Sequence, residues 1–450
     1  MVINSNLYKY INIIGKFWLA DSEKDSFTAQ LVYRNPNYFV IGNMLSIEQL
    51  RKIDAHKNDI CFYGVIDGVQ FSLLNCSIPK SGYRYLDIKD IEKGCDCSIE
   101  IKPSEIVFGE CYISENDEIS GASALFDKMD EFIKPEAFDF DYEAGKRLSI
   151  SSRDSINVNS RKYKLVFQPQ IKMLALSKGN NFKKMIITKF IFNKPEKVSE
   201  ARRLITYTQF LFSILKLNYI ELLSLELIKF HSKGVVDSIT TEYDVYYHMN
   251  SLPYDLKELW PVPSFCLNFE DIESDFGLIL DNWFDLCSKA EPVVELFYQI
   301  LIKKSFDINK FLNYVQAFEV YSNCFRKDDV KKVRSRYPRG DKITAWHKVF
   351  DLISLTKDCF SFENADVIKI SDWIVDTRNY YTHYGRKDDA LTSFEERGLI
   401  NRLMEYILTI AIYVQLGISL DLIKTKFYHA FLNDTINHVK ELIVNKTKSD

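Results

Sequence analysis

Two kinds of hydrophobic pattern share this chain. Short runs rich in β-branched and aromatic residues fill the stretch from the start to about residue 195. From about Ser274 onward, apolar residues recur at helical spacing instead. In the first stretch, Phe62–Ile66 and Val69–Leu73 flank Asp67-Gly68, which predicts a hairpin. Thr28–Val32, Tyr38–Ile41, Ile106–Ile113 and Tyr163–Gln168 predict further strands, and Leu45–Ala55 a short helix among them. From Arg161 to about Met249 a second unit is expected. It opens on the strand-like run Lys162–Phe167, continues with a helix over Val198–Leu217, and ends in a β-like stretch from Tyr219 to Tyr247. Pro253, Pro261 and Pro263 mark Ser251–Pro263 as a linker.

Helices are expected over Asp275–Lys289, Pro292–Ser305, Ile308–Arg326, Thr344–Thr356, Ile370–Tyr384, Phe394–Leu416 and Ile423–Val444. Leu399, Leu403, Ile407, Ile410 and Val414 carry the apolar stripe of the sixth, and Gly417 stands where its C-cap belongs. The fold class is therefore α+β: a β-rich N-terminal region followed by an all-α bundle. The boundaries this suggests are residues 1–160 and 161–262 for two N-terminal domains and 274–446 for the helical one.

Composition changes this picture little. A chain of 450 residues is long enough for two or three domains. A net charge of -4 leaves any nucleic-acid surface to local clusters. The nine cysteines include no CxxC pair, Cys95-Asp96-Cys97 being the nearest approach, which fits reduced thiols and predicts neither a disulfide framework nor a zinc site. The N-terminus lacks a basic start followed by an apolar core, so no signal peptide is expected. Leu204–Leu225 and Leu403–Leu420 are apolar but carry Lys216, Glu221 and Glu405, so neither predicts a membrane span. A cytoplasmic protein without membrane contact follows. Gly64 and Gly68 are hairpin glycines, no phosphate-cradling loop is present, and neither metal nor cofactor is expected.

The chemistry concentrates in Arg378-Asn379-Tyr380-Tyr381-Thr382-His383. Asn379 and His383 are four apart and share a helix face. Arg378 and His383 are five apart, roughly 140° around an ideal helix. Either the long arginine bends toward the histidine, or a two-fold partner completes the site with its own pair; the spacing suits a composite site better. The residue types suit metal-free RNA cleavage, in which the 2′-OH attacks the adjacent phosphate. A guanidinium holds phosphoryl oxygens through paired, charge-assisted bonds. An imidazole moves protons near neutral pH. Asn379 is placed to orient the phosphate or a catalytic side chain. His383 lies near a helix C-terminus, where the dipole favours a cation, as a general acid requires.

The spacing alone is weak. Sixteen arginines and seven histidines give about 0.25 chance matches, and Arg51…His56 is one of the same form. Requiring Asn after Arg lowers the expectation to about one or two in a hundred, and the helix-end position adds to it. Arg326–Lys342 holds eight basic and three acidic residues, and reads as a phosphate-tracking loop or a solvated connector. Its Lys331, Lys332, Arg334, Arg336 and Arg339, with Arg386 and Lys387 beyond the motif, are the candidate RNA contacts. Tyr380, Tyr381 and Tyr384 offer rings for base stacking, although the helix must bury one face. Glu319 and Tyr384 are candidate supports for the site.

Arg378-Asn379…His383 resembles the Arg-polar-x3-His motif of HEPN domains. Leu312–Glu319 is similar to the earlier helix of the ApeA-like HEPN group. Gly15-Lys16-Phe17-Trp18-Leu19 and the Gly64…Gly68 hairpin resemble that group's β-rich N-terminal region. The resemblance covers most of the chain. It implies an anti-phage abortive-infection effector: a HEPN endoribonuclease that cuts cellular RNA without metal and leaves a 2′,3′-cyclic phosphate. It implies Arg378, Asn379 and His383 as the catalytic set, a homodimer or higher homo-oligomer, and a phage-derived trigger acting on an N-terminal region that senses or restrains. Two rivals remain: a HEPN domain that binds RNA or a nucleotide without cutting, and an adaptor that recognises a phage protein.

Overall fold

The structure is a computed structural model that describes residues 7–34, 37–45, 52–53, 60–83, 97–133, 138–141, 149–152, 155–176, 179–217, 219–233, 237–247, 267–302, 308–383, 390–391, 393–426 and 430–449. It divides into two units. The first holds Met1–Asp130, Glu136–Thr206 and Glu221–Leu259; the second holds Glu131–Pro135, Tyr207–Ile220 and Trp260–Asp450.

The first unit is built on strands. They are β1 (Ile14–Leu19), β2 (Phe27–Arg34), β3 (Asn37–Leu45), β4 (Ile60–Ile66), β5 (Val69–Tyr83), β6 (Cys97–Lys102), β7 (Glu105–Gly109), β8 (Glu118–Phe126), β9 (Phe138–Asp141), β10 (Ser149–Ser152), β11 (Ile156–Asn159), β12 (Tyr163–Leu176), β13 (Gly179–Lys197), β14 (Leu222–Lys233) and β15 (Asp237–Tyr247). All but β9 and β10 join one antiparallel sheet, in the order β11-β12-β13-β8-β14-β15-β7-β5-β4-β1-β2-β3-β6. Strand β6 also pairs with β5, so β5, β4, β1, β2, β3 and β6 close into a barrel. Closure removes the exposed edges that those strands would otherwise present.

The hairpin expected at Asp67-Gly68 is present, with Ile66 paired to Val69 and positive φ at both turn residues (50° and 79°). Alternate residues of β4 point inward, and Phe17, Phe62, Phe71, Leu31 and Ile101 fill the barrel. Gly64 is required by this packing: a Cβ there would sit 2.3 Å from the Phe17 ring. The run expected at Ile106–Ile113 ends as a strand at Gly109, and the N–H of Ile113 donates instead to Ser72 Oγ at 2.9 Å.

The expected boundary at residue 160 falls inside this sheet. Strand β8, from the first segment, is hydrogen-bonded to β13 on one side and β14 on the other, both from the second. Pairing across that sequence distance leaves no local signal.

The second unit is helical. Helix α1 (Val198–Lys216) contributes its second half to it. The sequence had placed this helix in the 161–262 segment. The residues of that second half pack with helices: Trp283 Nε1 donates to the Tyr207 carbonyl at 2.7 Å, Tyr413 OH to that of Ile214 at 3.0 Å, and Phe210 stacks on Tyr298 at 3.6 Å. After a single helical turn at Phe269–Ile272 come α2 (Phe276–Lys289), α3 (Glu291–Ile302), α4 (Ile308–Phe325), α5 (Lys327–Arg336), α6 (Ala345–Phe360), α7 (Asn364–His383), α8 (Phe394–Gln415), α9 (Leu420–Lys426) and α10 (Ala430–Ser449). The β-rich region followed by an all-α one is the expected fold class.

Three expectations change. The basic stretch at Arg326–Lys342 is largely a helix, α5, and not a loop. Asp328 and Asp329 open it, Arg334 and Arg336 close it, and Val330 is buried, an order that suits the helix dipole. Helix α7 starts at Asn364, where the Asp366 carboxylate accepts the Glu363 N–H at 2.9 Å, six residues before Ile370. The last predicted helix is two, α9 and α10. Gly417 does terminate α8, with φ 91°. Of the short helix expected at Leu45–Ala55, Leu45 ends β3, and residues 46–51 and 54–59 lie outside the described residues. The Ser251–Pro263 linker lies outside them too. Among the described residues, no helix is long and apolar enough to cross a membrane.

Candidate active site

Helix α7 carries the motif on its last turns. Val367, Ile370, Ser371, Trp373, Ile374 and Thr377 are buried and fix the helix in the bundle. Past Thr377 the helix leaves the core. Arg378 and Asn379 are half-buried, and His383 is exposed. Thr377 is itself an anchor, because its hydroxyl accepts the Leu391 N–H at 2.8 Å and holds the chain that leads into α8.

Arg378 is the centre of the cluster. Its Nη1 donates to Asn379 Oδ1 at 3.1 Å and lies 3.4 Å from His383 Nε2. Its Nη2 lies 3.8 Å from Glu319 Oε1, on α4. The Thr382 hydroxyl donates to the Arg378 carbonyl at 2.7 Å. The sequence left two routes for bringing arginine to histidine and favoured the one needing a second copy. Within one chain the first route operates: the arginine side chain runs along the helix and covers the angle that the backbone spacing leaves open. The Arg378–His383 contact is a hydrogen bond only when Nε2 presents its lone pair.

The two described tyrosines of the motif are both partly buried. Tyr380 meets Tyr381 edge-on at 4.9 Å. Tyr381 OH accepts from Arg397 Nη1 at 3.0 Å, and the same guanidinium reaches the Leu391 carbonyl at 3.5 Å. Arg397 thus ties the first turn of α8 to the last turn of α7. Tyr384, Arg386 and Lys387 lie outside the described residues, as do Arg51 and His56.

The basic candidates divide into two kinds. Lys331 and Lys332 are well exposed, at 66% and 77%, and among the described residues pair with the neighbouring Asp328 and Asp329 alone. Such surface pairs contribute about 0–1 kcal/mol, so the ammonium groups exchange partners readily. Arg339 is committed elsewhere. It stacks on Trp346, with Cζ 3.9 Å from the ring centroid, and donates to Asp372 Oδ1 at 2.6 Å. Trp346 Nε1 donates to the same oxygen at 2.7 Å. Arg334 donates to the Asp341 carbonyl, and Arg336 lies over Tyr337. Asp372 therefore fastens the turn after α5 to α7, six residues ahead of Arg378.

A fully buried histidine in the first turn of α6, next to this turn, was not a candidate from the sequence. His347 Nδ1 accepts the Thr344 backbone N–H at 3.0 Å, which assigns the proton to Nε2, and Nε2 donates to the Tyr337 carbonyl at 3.1 Å. Burial pushes its pKa down, against the pull of the Tyr337 carbonyl, and the nearby Arg334 and Arg339 push it further the same way. The Thr344-x-x-His347 spacing is that of a capping box with histidine in place of the usual Glu or Gln. Among the described residues, no cluster of three His, Cys, Asp or Glu side chains is placed to hold a metal ion.

Two family models match the chain. One is described as ApeA N-terminal domain 1 and matches residues 12–283. The other is described as Apea-like HEPN and matches residues 312–422, a span that holds Glu319, Arg378, Asn379 and His383. No curated protein and no solved structure matches the chain.

Proposed function

Because this chain belongs to the ApeA-like HEPN family, we propose that it is a metal-independent endoribonuclease that defends its cell against phage by abortive infection. Family membership points to an anti-phage HEPN protein; the chemistry is read from the site. The observation that carries the reading is the contact of Arg378 with both Asn379 and His383 on the last turns of one helix.

Arg378 holds the non-bridging oxygens of an RNA phosphate, where charge grows as the reaction proceeds. Asn379 fixes the guanidinium for that task. The 2′-oxygen then attacks phosphorus and the bond to the 5′-oxygen breaks, giving a 2′,3′-cyclic phosphate and a 5′-hydroxyl. The 2′-OH loses a proton and the leaving oxygen gains one. His383 performs one of these transfers, and its exposed position lets substrate reach it. A second copy of the chain supplies the other proton-transfer group, which makes the working enzyme a homodimer or larger. Lys331 and Lys332 track flanking phosphates. The protein works in the cytoplasm, and its N-terminal barrel senses a phage-derived trigger or restrains the helical unit.

A second reading has one observation in its favour. The exposed lysines of α5 offer a grip on RNA that does not need His383. A protein of that kind binds RNA without cutting it.

Purified protein incubated with RNA in EDTA separates the two. Cleavage by the wild type that is lost in Arg378→Ala and in His383→Ala supports the nuclease. Equal cleavage by all three, or RNA binding with no cleavage under any trigger, overturns it.

A further inference from the structure

We propose that Glu319 makes the Arg378 site selective for phosphodiesters, by holding a negative charge where a dianionic phosphate would otherwise bind. The proposal rests on the reading of Arg378 as a phosphate-binding group.

The contact geometry separates orientation from charge. Arg378 is oriented by Asn379, whose amide oxygen accepts a hydrogen bond at 3.1 Å. Glu319 stands 3.8 Å from Nη2, beyond the range of a directional bond. It therefore acts on the guanidinium by charge and leaves its angle to Asn379. Both side chains are partly buried, at 31% and 27% exposure, so solvent and salt screen the pair incompletely. Among the described residues Glu319 has no other ion-pair partner, and its charge is not diverted elsewhere.

A phosphate gripping the guanidinium fork must reach Nη2 and so comes up against the carboxylate. The penalty grows with the charge that the ligand brings. A diester within an RNA chain carries one negative charge. A free phosphate or terminal monoester carries about 1.5 to 2 at neutral pH. With Glu319 in place the guanidinium's charge is offset in part, and the doubly charged ligand loses most. A polynucleotide also brings neighbouring phosphates, which basic side chains such as the exposed lysines of α5 can hold. Abundant free phosphate and mononucleotides have no such second hold. The carboxylate also opposes the negative charge that grows at phosphorus during cleavage, so it restrains the rate while it sharpens the choice of ligand. A positioning role would have the opposite sign, since loss of a positioning group lowers the rate.

The test is binding to the full chain, followed by calorimetry and by the imidazole NMR signals of His383. The probes are inorganic phosphate and a 2′-deoxy dinucleoside monophosphate, a diester that cannot undergo 2′-OH attack. In Glu319→Gln, affinity for phosphate rises about tenfold and affinity for the diester by less than about threefold. Glu319→Ser gives the same pattern and covers a failure of the first variant to fold. Adding Arg378→Ala to either variant abolishes the gain. Basal RNA cleavage rises in Glu319→Gln. Phosphate affinity within about twofold of wild type in both variants overturns the proposal. An equal gain for both probes overturns it as well, and so does a fall in cleavage with no change in binding. The binding arms do not depend on cleavage, so they test the role of Glu319 even in a chain that never cuts RNA.

Discussion

Arg378 Nη1 lies 3.4 Å from His383 Nε2, although the two residues are five apart on one helix. Asn379 makes this possible by accepting from the same nitrogen at 3.1 Å. Asn379→Ala frees the guanidinium to rotate away. The expected outcome is a fall of about 10- to 100-fold in the single-turnover cleavage rate, the scale of a misplaced catalytic group. Arg378→Lys falls as far, because an ammonium lacks the planar fork. Cleavage of a labelled oligoribonucleotide measures both. Asn379→Ala within twofold of wild type would remove the orienting role.

Exposed lysines and an arginine that latches two elements together behave differently on substitution. Lys331→Ala and Lys332→Ala weaken RNA binding across sequences, and each lowers the salt-dependence slope by about one. Arg339→Ala acts on folding instead, because Arg339 is stacked on Trp346 and paired with Asp372. Its loss costs about 1–2 kcal/mol of stability, from the cation–π contact and the exposed half of the ion pair. RNA titrations over a salt series and urea unfolding separate the two effects. An Arg339→Ala variant with wild-type stability and a reduced salt slope would reverse the assignment.

His347 ties stability to pH. Burial holds its pKa below the ordinary value of 6.5. Between the folded and unfolded values the unfolded chain binds more protons, so stability rises with pH there. The contribution is whole above 6.5 and is lost as pH falls through that value toward the folded one. Protonation also turns Nδ1 from acceptor to donor, facing the Thr344 N–H. Urea midpoints between about pH 5 and 8 should fall on the acid side in the wild type, with a shallower fall in His347→Gln. Equal slopes would show that other groups govern the acid limb.

Much of this was legible wherever the signal is local. Asp67-Gly68 announced its hairpin, Gly417 its helix end, and Arg378-Asn379…His383 its motif, because turn, cap and motif are each set by neighbouring residues. The boundary at residue 160 failed to show because β8 joins β13 and β14 only through long-range pairing. The start of α7 was misplaced because the helix runs on ahead of Ile370: Ser371 is buried within it and donates back to the Val367 carbonyl at 2.6 Å. Helix α5 was missed because its order of charges, and not their number, favours a helix. Arg378 and His383 seemed too far apart because spacing describes the backbone, and the contact is made by a long side chain. Glu319 was a candidate support from the start, but its approach to Arg378 runs between two helices, where residue spacing gives no distance.

The most direct test of the central claim is the chemistry of RNA ends made in cells. RNA is sequenced at its cut ends after induced expression, together with a phage-derived trigger where one is needed, and His383→Ala serves as control. New 2′,3′-cyclic phosphate ends in the wild type that are absent from His383→Ala are the predicted result. The same ends at the same frequency in both, or no new ends in triggered cells that stop growing, would contradict it.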